Sequence, residues 1–319
     1  MSTINMPPMV IVGRRKRTRS YPNFDAELDE TVCDRYNNAN LTLKLKLGFR
    51  QINPAGGAAA GTYHDYGRAS APTRNIIRWT PGSWALWKDN FLRTAQRFWN
   101  GKFWLINNFP VLEFVDQNVQ YRHNVYCRFR LIGADANPGT HHHHVIDVVR
   151  LAPGENWFGS HSRLYDSRDT ELVQKNTDSA GRPVMQRAHV HEVGHLLGLG
   201  HSAEGTPACP VTGNTNAAAC YGTTDHDMTS VMGSGMDLRP EHAWPWRSTI
   251  ADMTNRGVVR TAPENRALRS LSASIGTTLG ITPPVFVSND WTAVMQRHYP
   301  RTQEEVRTNA AVTSRPNRG

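Results

Sequence analysis

Residues 191–201 read His-Glu-Val-Gly-His-Leu-Leu-Gly-Leu-Gly-His. His191 and His195 are four apart, so on an α-helix their imidazoles project from nearly one face, a turn apart. Two such nitrogens can reach one zinc ion at about 2.0–2.1 Å. Glu192 points to the side, where its carboxylate can hydrogen-bond a metal-bound water without ligating the metal. Gly198 comes where the helix has to stop. Glycine tolerates positive φ, so the backbone can turn sharply there and swing His201 back toward the same ion. Three histidines leave the fourth position to water, the layout of a catalytic site and not of a closed structural one.

Downstream, Ser230-Val231-Met232-Gly233 lies in a glycine-rich segment after a long polar loop. Read with that methionine, the long motif resembles the metzincin clan of zinc endopeptidases, whose signature includes a Met-turn beneath the metal. The resemblance implies one Zn2+ held by His191, His195 and His201, with Glu192 as general base. Met232 would be the Met-turn residue, a polarizable floor under the imidazoles and not itself a ligand. Met236 is the rival for that role. The activity so implied is hydrolysis of peptide bonds in a protein or peptide substrate by a metal-activated water. Glu192 accepts its proton and passes it to the leaving nitrogen.

The chain departs from individual metzincin families. Some place a tyrosine two residues after the Met-turn methionine as a movable ligand, but Ser234 stands there. Ser202 follows His201 as in matrixin-like sequences, yet the proline that follows the matrixin Met-turn is missing. The family within the clan stays open. Cys33 lies upstream, where some metzincins hold a zinc-blocking cysteine, but Cys33-Asp34-Arg35 does not match the blocking motif.

Outward from the motif, hydrophobic periodicity agrees with an α+β fold. Leu41, Leu43, Leu45, Leu47 and Phe49 alternate with Thr42, Lys44, Lys46 and Gly48, a strand with one face buried. Ser83 is a good N-cap for an amphipathic helix carrying Trp84, Trp87, Phe91, Ala95 and Phe98 on its core face. Further strands are expected at Val125–Leu131 and Val145–Leu151, with a shorter one at Leu172-Val173. The motif helix is expected from about Pro183 to Leu197, residues 53–82 read as loop, and Pro240 opens a helix reaching about Met253. The expected fold is a mixed twisted β-sheet with the active-site helix in an N-terminal subdomain. A smaller, mostly irregular C-terminal subdomain follows, with one helix. Residues 1–35 read as a basic leader, 36–261 as the catalytic domain divided at about 198, and 262–319 as an extension with a short helix near Trp291–Tyr299.

The 319 residues carry 36 Lys and Arg against 27 Asp and Glu, a net charge of +9. Such a balance can favour anionic partners, but no aromatic residues interleave with the basic cluster Arg14–Arg19, so no specific nucleic-acid platform is expected. No apolar run approaches the ~20 residues of a membrane span. Residues 1–11 lack the charged end and apolar core of a secretory signal. Cys209 and Cys220 bracket a short loop rich in Gly, Ala, Asn and Thr, which a disulfide would staple. Such a bond favours an oxidising destination, outside the cell or reached by export without a recognisable signal. Cys127 reads as a buried thiol. The run His141–His144 reads as a solvated loop, and His189, which falls on another helix face, reads as a residue behind the ligands or on the surface and not as a ligand. An exported or injected effector acting on a host protein shares this chemistry. A non-catalytic zinc-fold binding module does not need Glu192.

Overall fold

A computed structural model of the chain describes residues 16–31, 39–107, 114–116, 119–121, 124–155, 162–254, 291–298 and 314–315. In chain order the elements begin with β1 (Lys16–Ser20), β2 (Asp25–Asp29), β3 (Ala39–Ile52), β4 (Ala60–His64), β5 (Thr73–Ile77), α1 (Pro81–Trp99), β6 (Phe103–Asn107), β7 (Phe114–Asp116), β8 (Val119–Tyr121) and β9 (Asn124–Asp135). There follow β10 (His144–Val149), β11 (Leu164–Asp166), β12 (Val173–Thr177), β13 (Pro183–Gln186), α2 (Ala188–Leu196), α3 (Asp225–Thr229), α4 (Trp244–Thr254), β14 (Trp291–Val294), β15 (Arg297–His298) and β16 (Ser314–Arg315). The class is α+β: among the described residues there is an eight-stranded mixed sheet with several two-stranded ribbons and no closed barrel.

The alternating leucines make β3 the spine of the sheet. Leu41, Leu43, Leu45 and Leu47 are all 0% exposed. β9 runs parallel along one side of β3. The other side is divided, with β2 pairing antiparallel over residues 40–44 and β10 parallel over residues 47–52. β1 extends β2, β11 extends β10, and β6 then β14 continue beyond β9.

Helix α1 covers this face. Thr80, not Ser83, is its N-cap; Ser83 is the third helical residue, and the two exchange capping-box hydrogen bonds. Trp84, Trp87, Phe91 and Ala95 are buried as their spacing predicts, while Trp99 rather than Phe98 ends the buried stripe. Phe49 of β3 meets Trp84, Trp87 and Phe91 edge-on, with ring centroids 6.3, 5.7 and 5.3 Å away. Beyond residue 127 β9 has no strand on its β6 side among the described residues. The N–H groups of Phe129 and Leu131 instead donate to Asn100 Oδ1 and Gln96 Oε1 at the end of α1, each at 2.9 Å.

Several segments differ from expectation. Residues 16–29, read as leader, form the hairpin β1–β2. Ala26 and Leu28 are buried, while acids that alternate with them meet lysines: Glu27 lies 2.8 Å from Lys16 and 2.6 Å from Lys44, and Asp25 lies 2.7 Å from Lys46. Arg17 pairs with Glu30 and Arg19 with Asp252, so the described part of the basic cluster is neutralised within the fold. Arg14, Arg15 and Cys33 lie outside the described residues. Residues 60–77 hold the ribbon β4–β5 where loop was expected. Pro183–Gln186 is the strand β13 and not the first turn of the motif helix. Trp291–Val294 is a strand on β6, not a helix. Pro240 opens a short 3-10 turn that leads into α4.

Candidate metal centre

Helix α2 is docked on α1 by the Trp99 indole, whose N–H donates to Val190 O at 3.1 Å. It ends where Gly198 takes φ +96°. Gly198 N–H donates to His195 O at 2.9 Å and Leu199 N–H to Gly194 O at 3.0 Å, a paired closure that only a left-handed residue permits. The chain then doubles back, and His201 faces the helix. The Nε2 atom of His195 lies 3.0 Å from that of His191 and 3.1 Å from that of His201.

The outer nitrogens determine what the inner ones can do. Nδ1 of His191 lies 2.7 Å from Val231 O, that of His195 2.8 Å from Leu199 O, and that of His201 2.7 Å from Thr215 O. A carbonyl oxygen only accepts, so each Nδ1 carries the proton and each Nε2 presents a lone pair. The close Nε2 contacts are therefore not hydrogen bonds. Burial lowers the pKa of all three rings, that of His195 to about 4, which keeps them neutral. Three converging lone pairs with no proton between them could hold a cation, and separations near 3 Å suit two nitrogens each about 2.0–2.1 Å from one ion. The residues fit a metal, and among the described residues no other such histidine, cysteine or carboxylate group is assembled.

Glu192 is 6% exposed, and burial pushes its carboxyl up to about 8, with Lys175 opposing the shift. A cation held by the neighbouring imidazoles would draw it back toward the ordinary carboxylate range. Met232 is 1% exposed; its carbonyl accepts from Ser202 N–H beside His201, and its sulfur packs against Gly194 of α2. Met236 sits elsewhere, with Sδ 3.3 Å from Arg187 N at the start of α2. Cys209 and Cys220 are joined in a disulfide, and Cys127 is a buried free thiol.

His189 is buried against Phe91 and takes no part in the cluster; its Nδ1 lies 3.0 Å from Asp169 O. The run His141–His144 is not a free solvated loop. His143, its side chain 1% exposed, accepts Lys46 N–H at Nδ1 and faces Asp25 at 3.6 Å, so it fills the gap along β3 between β2 and β10.

Three participants follow from no motif in the sequence. The Tyr221 ring lies 4.1 Å from that of His201 and is stacked on His191 at 5.8 Å. Gln186, at the end of β13, donates from Nε2 to Gly233 O at 2.8 Å. His242 accepts Arg239 N–H at Nδ1, so its Nε2–H donates to Ser230 Oγ, which in turn accepts Met232 N–H. Only Tyr221 had a clue, its place directly after Cys220.

No protein-family model matches the chain, and no curated protein or solved structure gives a significant match.

Proposed function

We propose that the chain is a metzincin-type zinc endopeptidase. The observation that carries the reading is the set of three Nε2 lone pairs, each fixed inward by a backbone carbonyl behind its ring. Neutral imidazoles of this kind suit zinc. Zinc so bound supplies Lewis acidity and lowers the pKa of water toward 7. Glu192, adjacent to His191 and buried, takes the proton of the attacking water and delivers it to the leaving nitrogen. Met232 holds the turn whose Val231 carbonyl orients His191. The Cys209–Cys220 disulfide supports an oxidising destination for the protein.

The test is a casein and peptide-library digest by the wild type, with and without chelator, beside Glu192→Gln. We expect zinc-dependent cleavage in the wild type. The variant should keep its zinc while turnover falls by several orders of magnitude. Equal cleavage by the variant removes Glu192 from the mechanism. No cleavage by zinc-loaded wild type, with metal still bound, leaves a binding module.

A further inference from the structure

The three ligands differ in where their outer partner comes from. His195 uses Leu199, in its own helix closure, and His191 uses Val231, in the Met232 turn. His201 uses Thr215, which lies inside the covalent ring closed by Cys209–Cys220.

That ring has little else to hold it. Apart from the 3-10 turn Ala218–Tyr221, the hydrogen bonds of residues 210–219 among the described residues stay between positions 209 and 220, except those of Thr215 O to His201 and Ala219 O to Gly222 N–H. Residues 210–214 are exposed, Val211 being 65% exposed. The cysteines are the anchors: both are buried, Cys209 O accepts from Gly205 N–H, and Cys220 O accepts from Ala203 N–H. The residue following the ring is Tyr221, whose side chain lies against His201 and His191. One covalent closure thus sets both the carbonyl behind the third ligand and the aromatic wall beside two of them.

We propose that the Cys209–Cys220 ring is the positioning element of the third metal ligand: through Thr215 it fixes the His201 tautomer, through Tyr221 it braces the ring, and the disulfide fixes both. The inference rests on the metal-binding part of the reading above and not on peptidase activity. With the ring open, residues 210–219 gain conformational freedom, and Thr215 has only its one bond to His201 to stay in place. Removing the orienting partner of a metal-bound histidine typically lowers affinity 10–100-fold. Metal affinity should therefore follow the oxidation state of this bond.

The test is a zinc competition titration against a chromophoric chelator, with the cobalt(II) visible spectrum as a second readout. It compares the oxidised full chain, the same chain reduced by a phosphine, and Cys209→Ser/Cys220→Ser. The phosphine cleaves the S–S bond and becomes its oxide, water supplying the oxygen and the two thiol protons. It is then removed under anaerobic conditions. The double serine variant excludes ligation by newly freed thiols, and the phosphine arm acts on already folded protein should that variant fold poorly. Tyr221→Ser, with the disulfide intact, tests the wall alone. We expect a 10–100-fold weaker zinc affinity and an altered cobalt spectrum on ring opening, with a smaller loss for Tyr221→Ser. Affinity unchanged within twofold in both opened forms, while His201→Ala still weakens binding, overturns this inference and leaves the zinc site standing. No zinc binding by the oxidised wild type overturns both.

Discussion

The sulfur of Met232 occupies the space beside Gly194 that a side chain would fill. A Cβ at position 194 would collide with Met232 Sδ and press on Trp99 Cζ2, 3.2 Å away. Gly194 lies on α2 between His191 and His195, so the glycine inside the motif has a packing cause. Alanine there gains about 1 kcal/mol of helix propensity but meets an overpacking cost of about 1–3 kcal/mol. Gly194→Ala should therefore melt lower than wild type and bind zinc more weakly. Met232→Ala in the same background should recover part of the loss. A more stable Gly194→Ala with unaltered zinc affinity would refute the contact.

Gln186 stitches β13 to the glycine-rich turn. Its amide reaches Gly233 O at 2.8 Å, with Gly235 O at 3.3 Å and Val231 O at 3.4 Å. Leucine fills similar volume and leaves buried carbonyls without this donor, a cost of about 1–3 kcal/mol. Chemical denaturation of Gln186→Leu should show that loss, accompanied by weaker zinc binding because Val231 O orients His191. Wild-type stability in the variant would mean that the turn closes without Gln186.

Acid should destabilise the metal-free protein well above the carboxylate range. Burial lowers the pKa of His242 to about 4 and that of His189 to about 3. Both are neutral in the fold and protonate near 6.5 when unfolded, so below that pH the unfolded state binds more protons. Stability is then fully present above about 6.5 and is lost as pH falls toward the folded values. At pH 5 each contributes on the order of 1–2 kcal/mol of loss. Urea titrations in chelator at pH 7.5 and 5 measure the slope, which should shrink in His242→Gln. Glu192, pushed up to about 8, opposes this slope equally in both proteins, so an identical slope in wild type and His242→Gln would contradict the burial of that ring.

Zinc should raise the melting temperature and chelator should lower it, because the ion binds the folded site alone. At a free concentration a hundred times Kd the gain is about 2.7 kcal/mol. His201→Ala should abolish most of the shift while leaving the chelated melt near wild type. A zinc-induced shift of equal size in that variant would place the ion elsewhere.

The parts legible in the sequence are those with a strong period or a strong spacing. Alternating leucines gave β3, the tryptophan stripe gave α1, and the histidine spacing placed three rings at one point. Residues 16–29 were obscured because their buried Ala26 and Leu28 sit among charges that read as solvent-facing until lysine and carboxylate are seen to pair across strands. β13 merged with the motif helix because Val184 and Met185 continue its apolar pattern. The partners behind the ligands were invisible for a different reason. Val231, Leu199 and Thr215 act through backbone carbonyls, which every residue type carries alike.

Strand β14 lies on β6 at the far side of the sheet, and its Trp291 is 2% exposed. Residues remote in sequence from the histidines thus finish the interior of the domain that holds them. A recombinant fragment cut after α4 would lack a core tryptophan. It would also bare the backbone donors and acceptors of β6, a template for intermolecular strand addition. Such a minimal fragment should aggregate on expression, whatever its chemistry.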